Sequence, residues 1–244
     1  HVPFCEYNPY EAVKTNIFGS QNVLDAAIKN RVKKVIAIST DKVANPFNIL
    51  GTSKLMMEKL VINSNFFLWG KIKFSCVRFG NVAWSAGSVL PLWKKQAETS
   101  GEINITNKNT TRFFMSTEQA VNLTLKAVEL SNGGEVFVLK MPSAKLIDIA
   151  KIFLKKYFPD KKIKIKDIGN RPEDKLHEYL IGDNDAMAKI VANKEMFIIT
   201  PAIHVYNAEQ TFPEYKGFKK INNLKLLSLS SKTSINLKEI GKII

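Results

Sequence analysis

Apolar residues in "EAVKTNIFGSQNVLDAAIKN", residues 11 to 30, fall at Val13, Ile17, Val23, Leu24 and Ala27, a spacing that predicts a helix with one buried face. The period then changes. "VKKVIAIS", 32 to 39, is almost continuously apolar beyond its lysines and reads as a short strand buried on both sides. A second helix is predicted to begin near Ser53 and to include "KLMMEKLVINS", and "IKFSCVRFGNV" at 72 to 82 reads as the next strand. That alternation of helix and strand predicts an α/β sheet with covered faces.

Farther along, "GSVLPLWKKQAETSG" predicts a short helix entered through a loop and "EINIT" a strand. "STEQAVNLTLKAVELS" predicts a helix capped by Ser116, with Glu118 and Gln119 in its first turn. "GGEVFVLKM" reads as a strand, "KLIDIAKIFLKKYF" as a helix ending before Pro159, and "KIKIKDI" as an alternating edge strand. A polar loop runs from Arg171 to Lys175, and "INLKEIGKII" predicts a closing helix. The expected organisation is a sheet core over residues 1–90, a mixed region over 91–215 supplying a substrate lobe and late core elements, and a basic tail over 216–244.

One unit is missing from this pattern. In doubly wound dinucleotide folds the first strand feeds a glycine-rich turn whose N–H groups meet the pyrophosphate. Here Gly51 and Gly80 stand alone and Gly133-Gly134 reads as a turn. The expectation is a fragment of a longer enzyme or a chain that cannot hold a dinucleotide by itself.

The 244 residues are 45% hydrophobic, enough for a real core and too apolar for a disordered chain. The formal net charge of +14 comes from 36 basic against 22 acidic side chains, but only Arg31, Arg78, Arg112 and Arg171 are arginines. A lysine surplus marks a solvated surface more than a phosphate-reading one. The lysines crowded at Lys155, Lys156, Lys161, Lys162, Lys164 and Lys166 accompany no nucleic-acid-binding motif, so no nucleic-acid partner is expected. No apolar run approaches the roughly 18 residues of a membrane helix, and no membrane partner is expected. Cys5 and Cys76 are the only cysteines, which favours a reducing cytoplasm over a disulfide framework. His1, His177 and His204 lack the spacing of zinc ligands, so no metal is expected.

The chemistry concentrates where the first clear strand ends in Thr40, Asp41 and Lys42. A hydroxyl, a carboxylate and an ammonium there reach the carboxyl edge of the sheet, where open α/β folds bind ligands. Such a group can orient a substrate hydroxyl and exchange protons; alternatively Asp41 caps a helix and Lys42 is solvated. Pro46 and Asn48 shape the following loop, so Lys54 either returns to this neighbourhood or is an ordinary surface lysine.

"STDKVANPFNILGTSK", "RFGNVAWSAGSVLPLW", "TRFFMSTEQAV" and "GNRPEDKLHE", in this order, resemble extended short-chain dehydrogenase/reductases that modify UDP-N-acetylhexosamines. The group is the polysaccharide-biosynthesis 4,6-dehydratase and 5-epimerase family, which includes capsular proteins labelled UDP-glucose 4-epimerase-like. "SSKTSINLKEI" adds a weaker fifth match. The resemblance implies a partial Rossmann-like parallel sheet, lacking the first strands and the glycine-rich loop, with a smaller C-terminal substrate-binding lobe. It implies that Lys54 holds the nicotinamide ribose, Thr40 meets the sugar C4 hydroxyl, and Asp41 and Lys42 move protons at C6 and C5. Asn81 and Ser88 would border the sugar, and Arg112, Arg171 and Lys175 would contact the uridine diphosphate, where arginine offers paired donors. NAD is the implied cofactor of the complete enzyme, with weak or no binding expected for this chain alone, and a homo-oligomer is the implied assembly.

Three departures bear on activity. Leu50 stands at the superfamily's tyrosine position and has no proton to exchange, although some members of this branch carry methionine there. Ala86 replaces a common arginine, and Asp174 stands where glutamate is usual. The expected function is a UDP-N-acetylglucosamine 4,6-dehydratase of the C5-inverting type. The alternatives are a UDP-hexose 4-epimerase and a non-catalytic remnant or assembly module.

Overall fold

The computed structural model describes residues 1–66, 71–201, 214–221 and 229–244. The chain opens with α1 (Val2–Tyr7), α2 (Pro9–Val13) and α3 (Gly19–Lys29), with a π-helical segment, Lys14–Phe18, joining the last two. β1 (Lys34–Thr40) follows, and α4 (Ile49–Asn63) begins before Ser53 because Asn48 Oδ1 accepts a hydrogen bond from Gly51 N at 2.8 Å and caps it. Where one strand is predicted over 72 to 82 there are two, β2 (Lys73–Phe79) and β3 (Asn81–Val82), parted at Gly80 and assigned to different sheets.

Next come α5 (Val89–Thr99), β4 (Glu102–Ile105), β5 (Thr111–Met115) and α6 (Thr117–Leu130). The start of α6 is a capping box: Ser116 Oγ accepts from Gln119 N at 3.0 Å, and Ser116 N donates to Gln119 Oε1 at 2.8 Å. β6 (Val136–Leu139), β7 (Ser143–Lys145), α7 (Leu146–Tyr157), β8 (Lys164–Asp167), β9 (Ile190–Ala192), β10 (Met196–Ile199), β11 (Lys219–Lys220) and α8 (Leu237–Ile243) complete the described elements.

The large sheet has the order β1-β2-β6-β10-β9-β11. Its β1–β2 and β2–β6 pairs are parallel, but β6–β10, β10–β9 and β9–β11 are antiparallel, which corrects the expected all-parallel sheet. For β9–β10 the reason is local. Between β9 and β10, Asn193 Oδ1 accepts from Glu195 N and Met196 N at 2.9 and 2.8 Å, so the chain reverses in a tight turn that leaves no room for a crossover helix. A smaller lobe holds the sheets β3-β5-β7 and β4-β8 with α5, α7 and α8, and its core gathers Leu90, Trp93, Phe114, Phe153 and Ile240. The main core packs Leu24 of α3, Met57 and Val61 of α4 and Leu123 of α6 against Phe74, Val77 and Phe137 of the large sheet.

Charge is buried inside this fold as well. Arg78 on β2 is 1% exposed and donates to Glu58 Oε1 and Oε2 at 2.9 and 2.8 Å, to Asp185 Oδ1 and Oδ2 at 3.0 and 2.7 Å, and to the Leu180 carbonyl at 3.3 Å. All five donors of the guanidinium are engaged, so α4, β2 and the turn at Asp183–Asp185 are fastened at one point.

Candidate active site

At the end of β1 the chain enters a single 3₁₀ turn, Asp41–Val43, with Thr40 Oγ1 accepting from Lys42 N at 3.4 Å. The turn lies against the first turn of α4. A Cβ on Gly51 would stand 2.4 Å from the Lys42 carbonyl oxygen, so only glycine admits this approach. The loop beyond is pinned from across the chain. Asn45 N and Nδ2 donate to Asn184 Oδ1 and Asp183 Oδ2 at 3.0 and 3.1 Å, and Asn48 Nδ2 donates to the Glu173 carbonyl at 3.1 Å. Lys175 Nζ donates to the carbonyls of Ala44, at 2.9 Å, and Asn45.

Held this way, Thr40, Asp41 and Lys42 form one connected group. Thr40 Oγ1 donates to Asp41 Oδ1 at 3.0 Å, and Lys42 Nζ donates to the same oxygen at 2.9 Å. Lys42 Nζ also reaches Asn81 Oδ1 at 3.5 Å, which ties the end of β1 to β3. Asp41 is 0% exposed and its Oδ2 has no hydrogen-bond partner, whereas the Lys42 side chain keeps 14% of its surface open. Asp41 therefore lies beneath the site and Lys42 on its wall.

That wall belongs to a cleft of about 600 Å³, lined among others by Thr40, Lys42, Leu50, Asn81, Ser88 and Arg171. Of the residues singled out in the sequence, Thr40, Lys42, Asn81, Ser88 and Arg171 meet there. Leu50 lines the cleft where the superfamily would present a tyrosine. Lys54 does not line the cleft; it donates to the Ile38 carbonyl, next to Ser39, at 3.2 Å with Met57 Sδ at 3.7 Å, so it is held rather than a free surface lysine.

Arg112 and Lys175 are engaged elsewhere, Arg112 with the Thr111 carbonyl at 2.9 Å and Asp174 at 3.7 Å, and Lys175 with the loop after Lys42. Neither lines the cleft, and the diphosphate contact expected of both has no support in this geometry. Two residues were missed in the sequence. Ser39 lines the cleft with a buried, unpartnered Oγ, as Ser88 does, and its position next to Thr40 was the available signal. Glu178, which is 2% exposed and has an unpartnered Oε2, had none.

Burial alone would lower the Lys42 pKa, but the Asp41 and Glu178 carboxylates and the Asp41 hydrogen bond outweigh it, and the net shift is upward. Lys42 is thus an ammonium at rest. Lys54 is shifted down, chiefly by burial. Burial raises the Glu178 carboxyl, with Lys42 opposing and Asp41 reinforcing the shift. Burial likewise lowers Lys175 against the pull of Glu178 and Asp41. Among the described residues no cluster of three or more His, Cys, Asp or Glu could hold a metal, and no helix is long and apolar enough to cross a membrane; His204 lies outside the described residues.

Residues 1–200 match the family model described as polysaccharide biosynthesis protein. The chain is 46% identical over 208 residues to an uncharacterized membrane protein of Methanocaldococcus jannaschii, an alignment covering 82% of this chain and 62% of that protein. It is 42% identical over 214 residues to a UDP-N-acetylglucosamine 4,6-dehydratase (inverting) of Campylobacter jejuni, covering 87% and 62%. With a UDP-glucose 4-epimerase of Rickettsia canadensis the identity is 39% over 244 residues, covering 100% and 70%. The chain thus spans 62% of the length of the first two of these relatives. The X-ray structure of Pen from Bacillus thuringiensis superposes with a TM-score of 0.87 at 35% identity, covering 100% of this chain and 72% of that one.

Proposed function

The chain belongs to the polysaccharide biosynthesis protein family, and from that membership we propose that it carries the proton-handling site of an NAD-dependent UDP-N-acetylglucosamine 4,6-dehydratase of the C5-inverting type. The observation that carries the reading is Lys42: an ammonium on the cleft wall, 2.9 Å from a fully buried Asp41 that also accepts from Thr40.

The residues fit the nicotinamide-ribose half of the cofactor. Lys54 has three donors, of which the Ile38 carbonyl and Met57 Sδ take two, and the Ser39 hydroxyl is buried without a partner beside Thr40. When bound, NAD⁺ would supply a hydride acceptor for the sugar C4 and, once reduced, a hydride donor for C6. Thr40 takes up the C4 hydroxyl proton with the Asp41 carboxylate 3.0 Å behind it, a relay that replaces the tyrosinate Leu50 cannot provide. A ketone at C4 makes the C5 proton acidic. The C6 hydroxyl leaves as water on a proton from the Lys42 ammonium while the same amine takes up the proton from C5, so Lys42 ends as the ammonium; the enolate left once a hydride has been returned at C6 would then be protonated at C5 from the opposite face, which inverts that centre. In this assignment Asp41 acts through Thr40 and Lys42, because its burial keeps it from the C6 hydroxyl itself. Asn81 and Ser88 border the sugar, and Arg171 is the cleft's cation for the diphosphate.

The same proposal places the reaction in surface-polysaccharide or glycan biosynthesis in the cytoplasm, where Cys5 and Cys76 would stay the free thiols they are. It also includes a homo-oligomer. Phe47 and Met56 are exposed at an apolar cavity of about 610 Å³ between the N-terminal helices and α4, with exposed Tyr7 and Tyr10 on those helices, a face suited to a second copy.

Mass spectrometry of UDP-N-acetylglucosamine incubated with the protein and NAD⁺ tests the reading. Loss of one water is expected. An epimerase, the second reading favoured by the match of all 244 residues to a UDP-glucose 4-epimerase, would leave the mass unchanged.

A further inference from the structure

Glu178 is held at its backbone by Ser231 and has no role in the proton relay of Thr40, Asp41 and Lys42. Its backbone N donates to Ser231 Oγ at 2.8 Å, and its carbonyl accepts from Ser231 N at 2.8 Å. Ser231 is itself tied to β5 through Thr111 Oγ1 at 2.6 Å, and its carbonyl accepts from Ser143 Oγ at 2.6 Å. The "SSKTS" stretch of the basic tail thus serves as the mount that aims this carboxylate inward. Once there, the side chain is 3.9 Å from Lys175 Nζ and close enough to Lys42 for their charges to act on each other, while Oε2 has no hydrogen bond. A purely structural carboxylate in such a place is normally saturated with donors.

We propose that Glu178 is a positioning residue for Lys42: with Asp41 it forms a pair of buried carboxylates that hold Lys42 as the resting ammonium and strengthen the amine as a base once its proton has gone to the leaving hydroxyl. The groups facing Glu178 are Lys42 and Asp41 from the turn after β1, Arg112 from β5, and Lys175 from its own segment. Lys175 is held to the Ala44 and Asn45 carbonyls, Arg112 to the Thr111 carbonyl, and Asp41 is closed off. Lys42 alone among them opens on the cleft through its own side chain, so it is the member whose proton can reach substrate. The upward shift of the Glu178 carboxyl is what a buried second carboxylate beside Asp41 should show.

The consequence for turnover rests on the dehydratase reading, but the test does not. Lysine side-chain ¹³C NMR on the free protein, with the Lys42 signal assigned by Lys42→Met, follows its titration without substrate or NAD. In Glu178→Gln the Lys42 midpoint is expected to move to lower pH while Lys54 stays in place, and Glu178→Asp, which keeps the charge, is expected to restore much of the difference. An unmoved Lys42 midpoint in folded Glu178→Gln overturns the proposal. Should that variant not fold, the coupling is read from the other side, since linkage is reciprocal: Lys42→Met must move the Glu178 carboxyl midpoint to higher pH, and no movement overturns the proposal equally. In an active protein, Glu178→Gln lowers kcat about tenfold with KM unchanged and brings the alkaline limb of the kcat profile to lower pH. Water loss by the unaltered protein is judged separately, so failure of the coupling and failure of the dehydratase reading are distinct results.

Discussion

Arg78 and Lys42 are both interior cations flanked by two carboxylates, and they differ in what is left over. Around Arg78, every guanidinium donor and all four oxygens of Glu58 and Asp185 are hydrogen-bonded. Around Lys42, Asp41 Oδ2 and Glu178 Oε2 are buried without a hydrogen bond, Glu178 Oε2 lying 3.9 Å from Lys175 Nζ, and the ammonium keeps an open side. A saturated cluster has no capacity for a ligand and serves to hold elements together. An unsaturated one keeps hydrogen-bonding capacity that a change of protonation or an arriving partner can take up. The first fastens the fold behind the cleft, and the second faces into it.

The widest separation between the two clusters should come from removing their cations. Arg78→Met strands two carboxylates in the core and is expected to cost about 3–5 kcal/mol in urea unfolding. Lys42→Ala is expected to lower the dehydration rate by about 10²-fold or more, and it also strands the buried Asp41 carboxylate with only its Thr40 bond. A rate that survives Lys42→Ala would erase the functional half of the contrast.

Gly51→Ala tests how tightly the second cluster is seated. A Cβ placed 2.4 Å from the Lys42 carbonyl forces the turn away from α4, for an expected loss of about 1–3 kcal/mol together with reduced turnover. The smallest effect concerns pH. The folded Glu178 carboxyl lies above its ordinary value of 4.5, so the stability it contributes relative to a non-titrating glutamine is full below that pH and is lost as pH rises through the raised value. Urea unfolding of the protein and of Glu178→Gln across that range should therefore show the difference between them shifting in favour of the glutamine variant. A constant difference would mean that the carboxyl is unperturbed.

How much of this could be read beforehand depended on how local each feature is. The end of β1 at Thr40, Asp41 and Lys42 was legible because an apolar run stops there at three adjacent polar groups. The α6 start was legible from Ser116 and Gln119, whose reciprocal bonds need only neighbours in sequence. β5, β7, β9 and β10 were not anticipated: they are three to five residues long and largely buried, too short for periodicity to separate them from loops. Glu178 and the Arg78 cluster were invisible for another reason. Their meaning lies in partners up to 136 residues distant, as from Lys42 to Glu178, and no spacing in the chain announces such a meeting. Five of the residues carried over by resemblance line the cleft, while Arg112 and Lys175 are hydrogen-bonded to backbone and do not line it.

Exchange of solvent hydrogen at C5 examines the role of Lys42 most directly. With UDP-N-acetylglucosamine and NAD⁺ in D₂O, the unaltered protein should yield product carrying deuterium at C5, and Lys42→Ala should form it at a rate lowered by about 10²-fold or more. Deuterium entering C5 in the Lys42→Ala protein at the unaltered rate would show that some other group moves that proton.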